Sequence, residues 1–404
     1  MRGPLTTLSP LRPAHHPWAW TWTRLLPLLL LVLLMAVVAG CASASGRPSS
    51  LATAGATAAG AQPTTASGGA GAMLRVQGAR IVDGAGHEVV LRGAMIPTSL
   101  AYINRYARGQ DPTQILNAAT FTAMASWHMN AVRINISYWI YQVNPTLYLS
   151  QLDRAVAAAH AAGLYVILDY HDDKQSGDQS ADGVMHATTV TFWQIIASHY
   201  KSDPMMLFDP MNEPKYSDWQ TWLNGDGAGI VGYQQVIAAI RGVGAKQIIV
   251  LEPGHGCTCG SSTWQGVDRY LPGDPNVIFS QHDYAEVVSG NPQTWDAAWG
   301  SILGRYPIYY GEWAVLPHAN YPIFCRGLTS DNADTVTNTF LTYLQARHAN
   351  WTAWDFNPSN LVQSFTGYEP TTFQSGAPWS CEDSSAAQAG MGLDIKQFLA
   401  AHAG

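Results

Sequence analysis

Leu164-Tyr165-Val166-Ile167-Leu168-Asp169-Tyr170-His171 is the stretch whose reading decides the fold. Its apolar character is continuous rather than alternating, which suits a strand covered on both faces, as parallel strands are. It opens directly after Gly163, where an amphipathic segment over residues 148–162 stops, as a helix ends at glycine. A helix, a glycine stop and a buried strand in succession make the repeating unit of a parallel α/β protein. Gly244 punctuates the chain in the same way before the run at 247–251.

Working outward, short apolar runs recur at 89–96, 131–136, 164–170, 205–208, 247–251, 277–280, 307–310 and 351–356, which makes eight. Helical patterns stand between them at 112–127, 148–162, 187–200, 229–243, 294–303 and 331–347, and a last amphipathic segment covers 391–402. Eight alternations favour a (β/α)8 TIM barrel with enlarged strand-end loops over a doubly wound sheet, which usually needs fewer strands. Ahead of the barrel, alternating segments at 74–83 and 87–91 flank Gly84-Ala85-Gly86 and read as a short N-terminal β-hairpin. No short fixed-period repeat is evident, so a solenoid is not favoured.

The N-terminus reads differently. Arg2, Arg12 and Arg24 precede an apolar stretch over 25–38 that ends in small residues before Cys41, the pattern of an export signal. The stretch is too short to favour a spanning helix. Val38-Ala39-Gly40-Cys41 resembles a bacterial lipobox, which implies cleavage before Cys41 and acylation of its thiol; ordinary signal cleavage near Ala42 or Ala44 is the alternative. Residues 42–72 are rich in Ala, Gly, Ser, Thr and Pro and cannot support a packed core. The expected organisation is a signal peptide at 1–40, a lipid-anchored flexible linker at 41–73 and the barrel domain at 74–404, outside the cytoplasm at the cell surface or secreted.

Charged residues make up only 12% of the 404, with a net charge of -7, so no basic field favours nucleic acid as a partner. Fifteen Trp and 18 Tyr supply flat apolar faces that stack on sugar rings or fill the core, and composition does not choose between these. The remaining cysteines, Cys257, Cys259, Cys325 and Cys381, favour disulfides between loops in an exported chain, with three connectivities open. A metal site of His255, Cys257 and Cys259 is the alternative, disfavoured by the oxidising compartment and the spacing. No metal or other cofactor is expected, and neither is a partner subunit.

In a barrel, side chains at the carboxyl ends of the strands converge on one face. Here those ends are chemically loaded: Arg133 on the second strand, His171 after the third, Asn212-Glu213-Pro214 after the fourth, His282-Asp283-Tyr284 after the sixth, Gly311-Glu312-Trp313 after the seventh and Trp354 on the eighth. A glutamate after a strand is ordinarily an exposed or ion-paired loop residue, an arginine there can merely neutralise a buried acid, and a tryptophan can be core. The ordered set carries the sharper reading.

With the opening segment Leu74-Arg75-Val76 to Leu91-Arg92-Gly93, this set resembles glycoside hydrolase family 5, the cellulase-type retaining family, over the whole 74–404 region. The resemblance implies Glu213 as acid/base and Glu312 as nucleophile, with Arg133, His171, Asn212, His282, Tyr284 and Trp354 around the sugar. The chemistry is consistent with the residue types. Retaining hydrolysis needs one carboxyl to protonate the leaving oxygen and another, about 5 Å from the first, to attack the anomeric carbon. Glu213 is expected to have its pKa raised by burial and a neighbouring negative charge, while Arg133 and the Tyr284 hydroxyl keep Glu312 ionised. Asn212 would donate to the sugar 2-hydroxyl, and Trp354 would lie under the sugar.

Other clusters are weaker. In His171-Asp172-Asp173 the two acids are expected to be solvated rather than metal-bound. Glu252, after the fifth strand, is read as structural or substrate-binding. Trp139, Trp219, Trp222, Trp264 and Trp313 lie in or beside strand-end loops and are candidates for further sugar contacts or for ordinary packing. The expected activity is endo-hydrolysis of a β-linked glucan, most simply β-1,4; the alternatives are a β-mannanase or related β-glycan hydrolase, and a non-catalytic cell-surface carbohydrate-binding protein.

Overall fold

A computed structural model describes residues 73–178, 180–254, 263–317, 324–358, 360–374, 378–381 and 389–403. The signal and linker segments, Cys41, His255, Cys257 and Cys259 lie outside the described residues.

Eight parallel strands close into a barrel. They are β3 (Arg92–Ile96), β4 (Ala131–Ile136), β5 (Tyr165–Tyr170), β6 (Met206–Asp209), β7 (Ile249–Leu251), β8 (Val277–Asp283), β9 (Ile308–Trp313) and β10 (Asn350–Ala353). β10 pairs with both β9 and β3 and so removes the sheet edges. Every apolar run expected to be a strand is one. β8 and β9 continue beyond Ser280 and Tyr310, because the polar residues that end the apolar run keep the ladder going.

Alternation along the strands divides the core in two. Ala131, Ile167, Leu207, Val250, Ile278 and Tyr309 form one cluster, and Leu74, Ile81 and Leu91 of the N-terminal segment pack with them. Their neighbours in sequence, Val132, Val166, Leu168, Phe208, Ile249, Phe279 and Tyr310, join the larger cluster with helical residues such as Ile196, Ile240 and Leu341. One face of each strand therefore fills the barrel and the other lies under the helices, which is why the runs are apolar at both parities. Two residues beyond the inward Ala131, Ile167 and Leu207 stand Arg133, Asp169 and Asp209.

The hairpin is present, but its first reversal is not where the sequence suggests. β1 (Arg75–Gln77) pairs antiparallel with β2 (Arg80–Val82) around Gly78, which supplies φ 60° for the tight turn. Gly84-Ala85-Gly86 makes a second reversal, with Val82 bridged to Glu88 and the Asp83 N–H donating to the His87 carbonyl at 2.9 Å. The expected helix at 112–127 is interrupted as well. A 3-10 turn over Pro112–Gln114 precedes the α-helix Ala118–Ser126, because Asn117 caps the latter by accepting from the Thr120 N–H. The helices Pro145–Ala161 and Ala187–Tyr200 fall where the periodicity puts them.

Cys325 and Cys381 form a disulfide that joins the segment after β9 to the one after β10. This selects loop-to-loop bridging among the connectivities left open for the cysteines.

Candidate active site

Arg133, fully buried on β4, organises the mouth of the barrel. Its Nη1 donates to Glu312 Oε1 at 2.6 Å, and its Nε and Nη2 reach Asp209 Oδ2 at 3.1 and 2.9 Å. Nη2 also lies 2.9 Å from Asp169 Oδ1 and 3.1 Å from Glu252 Oε1, and it donates to Asn212 Oδ1 at 3.1 Å. Burial alone would weaken the cation, yet the surrounding carboxylates hold its pKa well above the ordinary arginine value. One guanidinium does not balance four ionised acids. Asp209, wholly buried with Oδ1 unpartnered, is pushed well above the usual carboxylate range by burial and by Glu252 and Asp169, against the pull of Arg133.

Glu312 sits at the end of β9, 3% exposed. Its second oxygen accepts from the Tyr284 hydroxyl at 2.7 Å, so both expected donors, Arg133 and Tyr284, are on it. The β8–β9 register places this residue. Gln281 faces Tyr310, a shift follows, and His282 then faces Glu312, leaving Gly311 as the extra residue. Glycine is required there, since a Cβ would stand 2.8 Å from His282 Nε2 and 2.6 Å from Ser280 Oγ.

Glu213 follows β6 in a left-handed backbone conformation, φ 47°, uncommon for a residue with a long side chain. Its N–H donates to Glu252 Oε2 at 2.7 Å, and its Oε1 lies 3.0 Å from His282 Nδ1. The other ring nitrogen of His282 is 3.0 Å from Glu252 Oε1. An oxygen of Glu213, an oxygen of Glu312 and a ring nitrogen of His282 lie within 4.8 Å of one another. That spacing suits two carboxyl groups flanking one glycosidic bond in a retaining mechanism, for which about 5–5.5 Å is typical. Such a trio of atoms also resembles a cation site, but His282 already supplies the positive partner.

The protonation states differ from expectation. Burial would raise Glu213, but the His282 hydrogen bond and charge, helped by His171 and Arg133, outweigh it and hold the carboxyl below its ordinary value. The neighbour within bonding distance is a histidine rather than the negative charge the sequence reading supposed. Burial raises Glu312, with His282 and Arg133 opposing and Glu213 adding to the rise. Burial lowers His282, yet Glu252, Glu312 and Glu213 together hold it well above its ordinary value. The contact that lowers Glu213 also raises His282, which favours the proton on the ring side of the Glu213–His282 pair.

Asn212 is fixed through its Oδ1 by Arg133, leaving its amide nitrogen to donate elsewhere. His171 is 6% exposed and 2.6 Å from Asp169 Oδ2; burial lowers its pKa, but Asp169 more than reverses this. Trp354, half-buried, closes β10, its N–H donating to the Trp313 carbonyl at 3.0 Å. All eight residues named from the sequence are thus at the carboxyl end of the barrel.

Residues 82–360 match the sequence profile of the cellulase family, glycosyl hydrolase family 5. The chain belongs to glycosyl hydrolase family 5. Among relatives of this family, it is 23% identical over 322 residues to endoglucanase E-5 of Thermobifida fusca, covering 76% of this chain and 60% of that one. It is 28% identical over 220 residues to endoglucanase N of Pectobacterium atrosepticum, covering 52% and 43%. The chain thus spans less than two thirds of the length of these relatives. In fold it is similar to the β-glucanase SdGluc5_26A of Saccharophagus degradans, solved with cellotetraose, at TM-score 0.63 and 18% identity over 82% of this chain and 94% of that one. The catalytic domain of T. fusca endoglucanase Cel5A gives TM-score 0.56 and 20% identity over 81% and 97%.

Beyond the residues legible as family 5 positions, the site contains two acids to which the sequence assigned no role, Asp169 and Asp209, together with Glu252, expected to be structural or substrate-binding. Their signal was a charged residue on or just beyond an apolar parallel strand, where an unpaired charge is costly. Asp172 is also a correction. It is buried, accepts from Trp139 Nε1 at 3.1 Å, and has its pKa raised to about 7 by burial and by Asp178. Of the five candidate tryptophans, Trp222, Trp264 and Trp313 are core, while Trp139 and Trp219 keep partial exposure.

Proposed function

We propose that this chain is a retaining endo-β-1,4-glucanase working by double displacement, with Glu312 as nucleophile and Glu213 as acid/base. The observation that carries the reading is the approach of the Glu213 and Glu312 oxygens to within 4.8 Å, with Arg133 and Tyr284 both donating to Glu312. In the first step a Glu312 oxygen attacks the anomeric carbon as the glycosidic C–O bond breaks. The leaving oxygen takes the proton held between Glu213 and His282. In the second step Glu213 removes a proton from water, the resulting hydroxide equivalent attacks the same carbon, and Glu312 leaves as carboxylate. Asn212 donates to the 2-hydroxyl, Trp354 lies under the ring, and His171 helps set the local charge. No cofactor takes part in these steps.

The same proposal takes 1–40 as a signal peptide, Cys41 as lipidated, the following segment as a tether and 74–404 as a monomeric catalytic domain acting outside the cytoplasm. Family membership and the cellotetraose-bound structural neighbour support a polysaccharide substrate. The test is a panel of carboxymethylcellulose, glucomannan, xyloglucan and laminarin with product sizing, run beside Glu312→Gln. Preferred cleavage of carboxymethylcellulose into mixed oligosaccharides is expected. Glu312→Gln should lower the rate at least about a thousandfold with little change in melting temperature. Undiminished turnover by that variant sinks the assignment, and preference for glucomannan replaces the glucanase reading with the mannanase one.

A further inference from the structure

Glu252 touches every part of the acid/base side of the site without belonging to the pair that reacts. It is 2% exposed, at the end of β7. Its backbone is held by two buried aromatic side chains: its N–H donates to the Tyr233 hydroxyl at 3.1 Å, and its carbonyl accepts from Trp222 Nε1 at 2.7 Å. From that fixed base, Oε2 accepts from the Glu213 N–H at 2.7 Å, and Oε1 lies 3.0 Å from His282 Nε2 and 3.1 Å from Arg133 Nη2.

We propose that Glu252 is a positioning residue for the acid/base: its carboxylate clamps the Glu213 backbone and the His282 ring together, so that the proton Glu213 delivers stays on the Glu213–His282 pair. The inference rests on the assignment of Glu213 as acid/base. Two physical needs meet in one side chain. Glu213 sits at φ 47°, and a hydrogen bond from its N–H to a buried carboxylate is of the strong, charge-assisted kind that holds a strained conformation. A carboxylate 3.0 Å from Nε2 also favours the charged ring, and Nδ1, 3.0 Å from Glu213, is the nitrogen placed to exchange a proton with the acid.

The groups facing His282 define the charge balance. Glu213, Glu252 and Glu312 approach it directly, while Asp169, Asp209 and Asp283 act at longer range. The cations sharing these carboxylates are Arg133 and His171. Removing the Glu252 charge deprives His282 of the largest influence that raises it. The pair then loses its proton at lower pH. A role confined to neutralising Arg133, which also faces Asp169, Asp209 and Glu312, would leave that limb where it is.

The test uses the full chain. Glu252→Gln retains an acceptor for the Glu213 N–H and removes the charge. The alkaline limb of kcat/KM should move down by about one pH unit, and hydrolysis of phenyl β-cellobioside should fall about 10–100-fold. Dinitrophenyl β-cellobioside, whose leaving group needs no proton, should be cleaved at nearly the wild-type rate in the glycosylation step. An unmoved limb, or equal losses on both substrates, overturns the proposal. Should Glu252→Gln fail to fold, Glu252→Asp keeps the charge but shortens its reach to His282; a smaller downward shift is expected, and an unmoved limb overturns the proposal equally. A wild-type enzyme with no bell-shaped profile would instead count against the assignment of Glu213 itself.

Discussion

Tyr284 illustrates what one hydroxyl decides in this site. It supplies one of the two donors on Glu312, at 2.7 Å, and its ring packs against Phe324, 5.0 Å between centroids. Tyr284→Phe leaves that packing in place and removes a hydrogen bond to a charged acceptor, which predicts a fall in kcat of about 10–100-fold. The sign of the pH effect follows from which form the hydroxyl favours. Without the donor the ionised form of Glu312 is less stabilised, its pKa, already raised by burial, rises further, and the acid limb of kcat/KM moves to higher pH. A pH–rate profile with an unmoved acid limb would count against the hydroxyl acting through Glu312. At this scale the residue types were legible, because arginine, histidine and paired glutamates at successive strand ends have few bland explanations. The protonation of Glu213 was not, since it depends on His282 arriving from another strand.

At the scale of elements, the β8–β9 ladder does the placing. The register shift after Gln281 brings His282 opposite Glu312, and Gly311 leaves room for the imidazole. Gly311→Ala puts a methyl against Ser280 Oγ and His282 Nε2 at 2.6 and 2.8 Å. Overpacking of this kind costs about 1–3 kcal/mol, so the variant is expected to melt several degrees lower and to lose activity through a displaced His282. Calorimetry and kcat together check this; a wild-type melting temperature with full activity would show that the register tolerates a side chain there. The strand cores were readable from apolar runs, whereas their ends were not, because His282 and Glu312 are polar residues that still belong to the ladder. The helix break at Asn117 and the turn at Gly78 were missed for the related reason that a cap or a tight turn competes locally with periodicity.

At the scale of the whole molecule, the barrel is a container with an apolar floor and a charged mouth. Leu74, Ile81 and Leu91 complete the floor, and the Cys325–Cys381 disulfide ties two of the segments that follow strands β9 and β10. Among the described residues no helix is long and apolar enough to cross a membrane. The proposed attachment rests on Cys41, and Cys41→Ala should move the protein from the detergent phase to the aqueous phase on fractionation; unchanged partitioning removes the lipid anchor from the proposal. By itself the sequence determined the alternation of buried strands and helices, the barrel it implies, and the order in which eight chemically distinctive residues reach its rim. Periodicity and residue type are local properties, written along the chain. Only the tertiary structure decided that Arg133 serves several acids, that Glu252 lies against both the Glu213 N–H and the His282 ring, and that His282 rather than an acid is the group bonded to Glu213. Charge states and hydrogen-bond partners are set by groups distant in sequence and adjacent in space, and the closing of the barrel is what makes them adjacent.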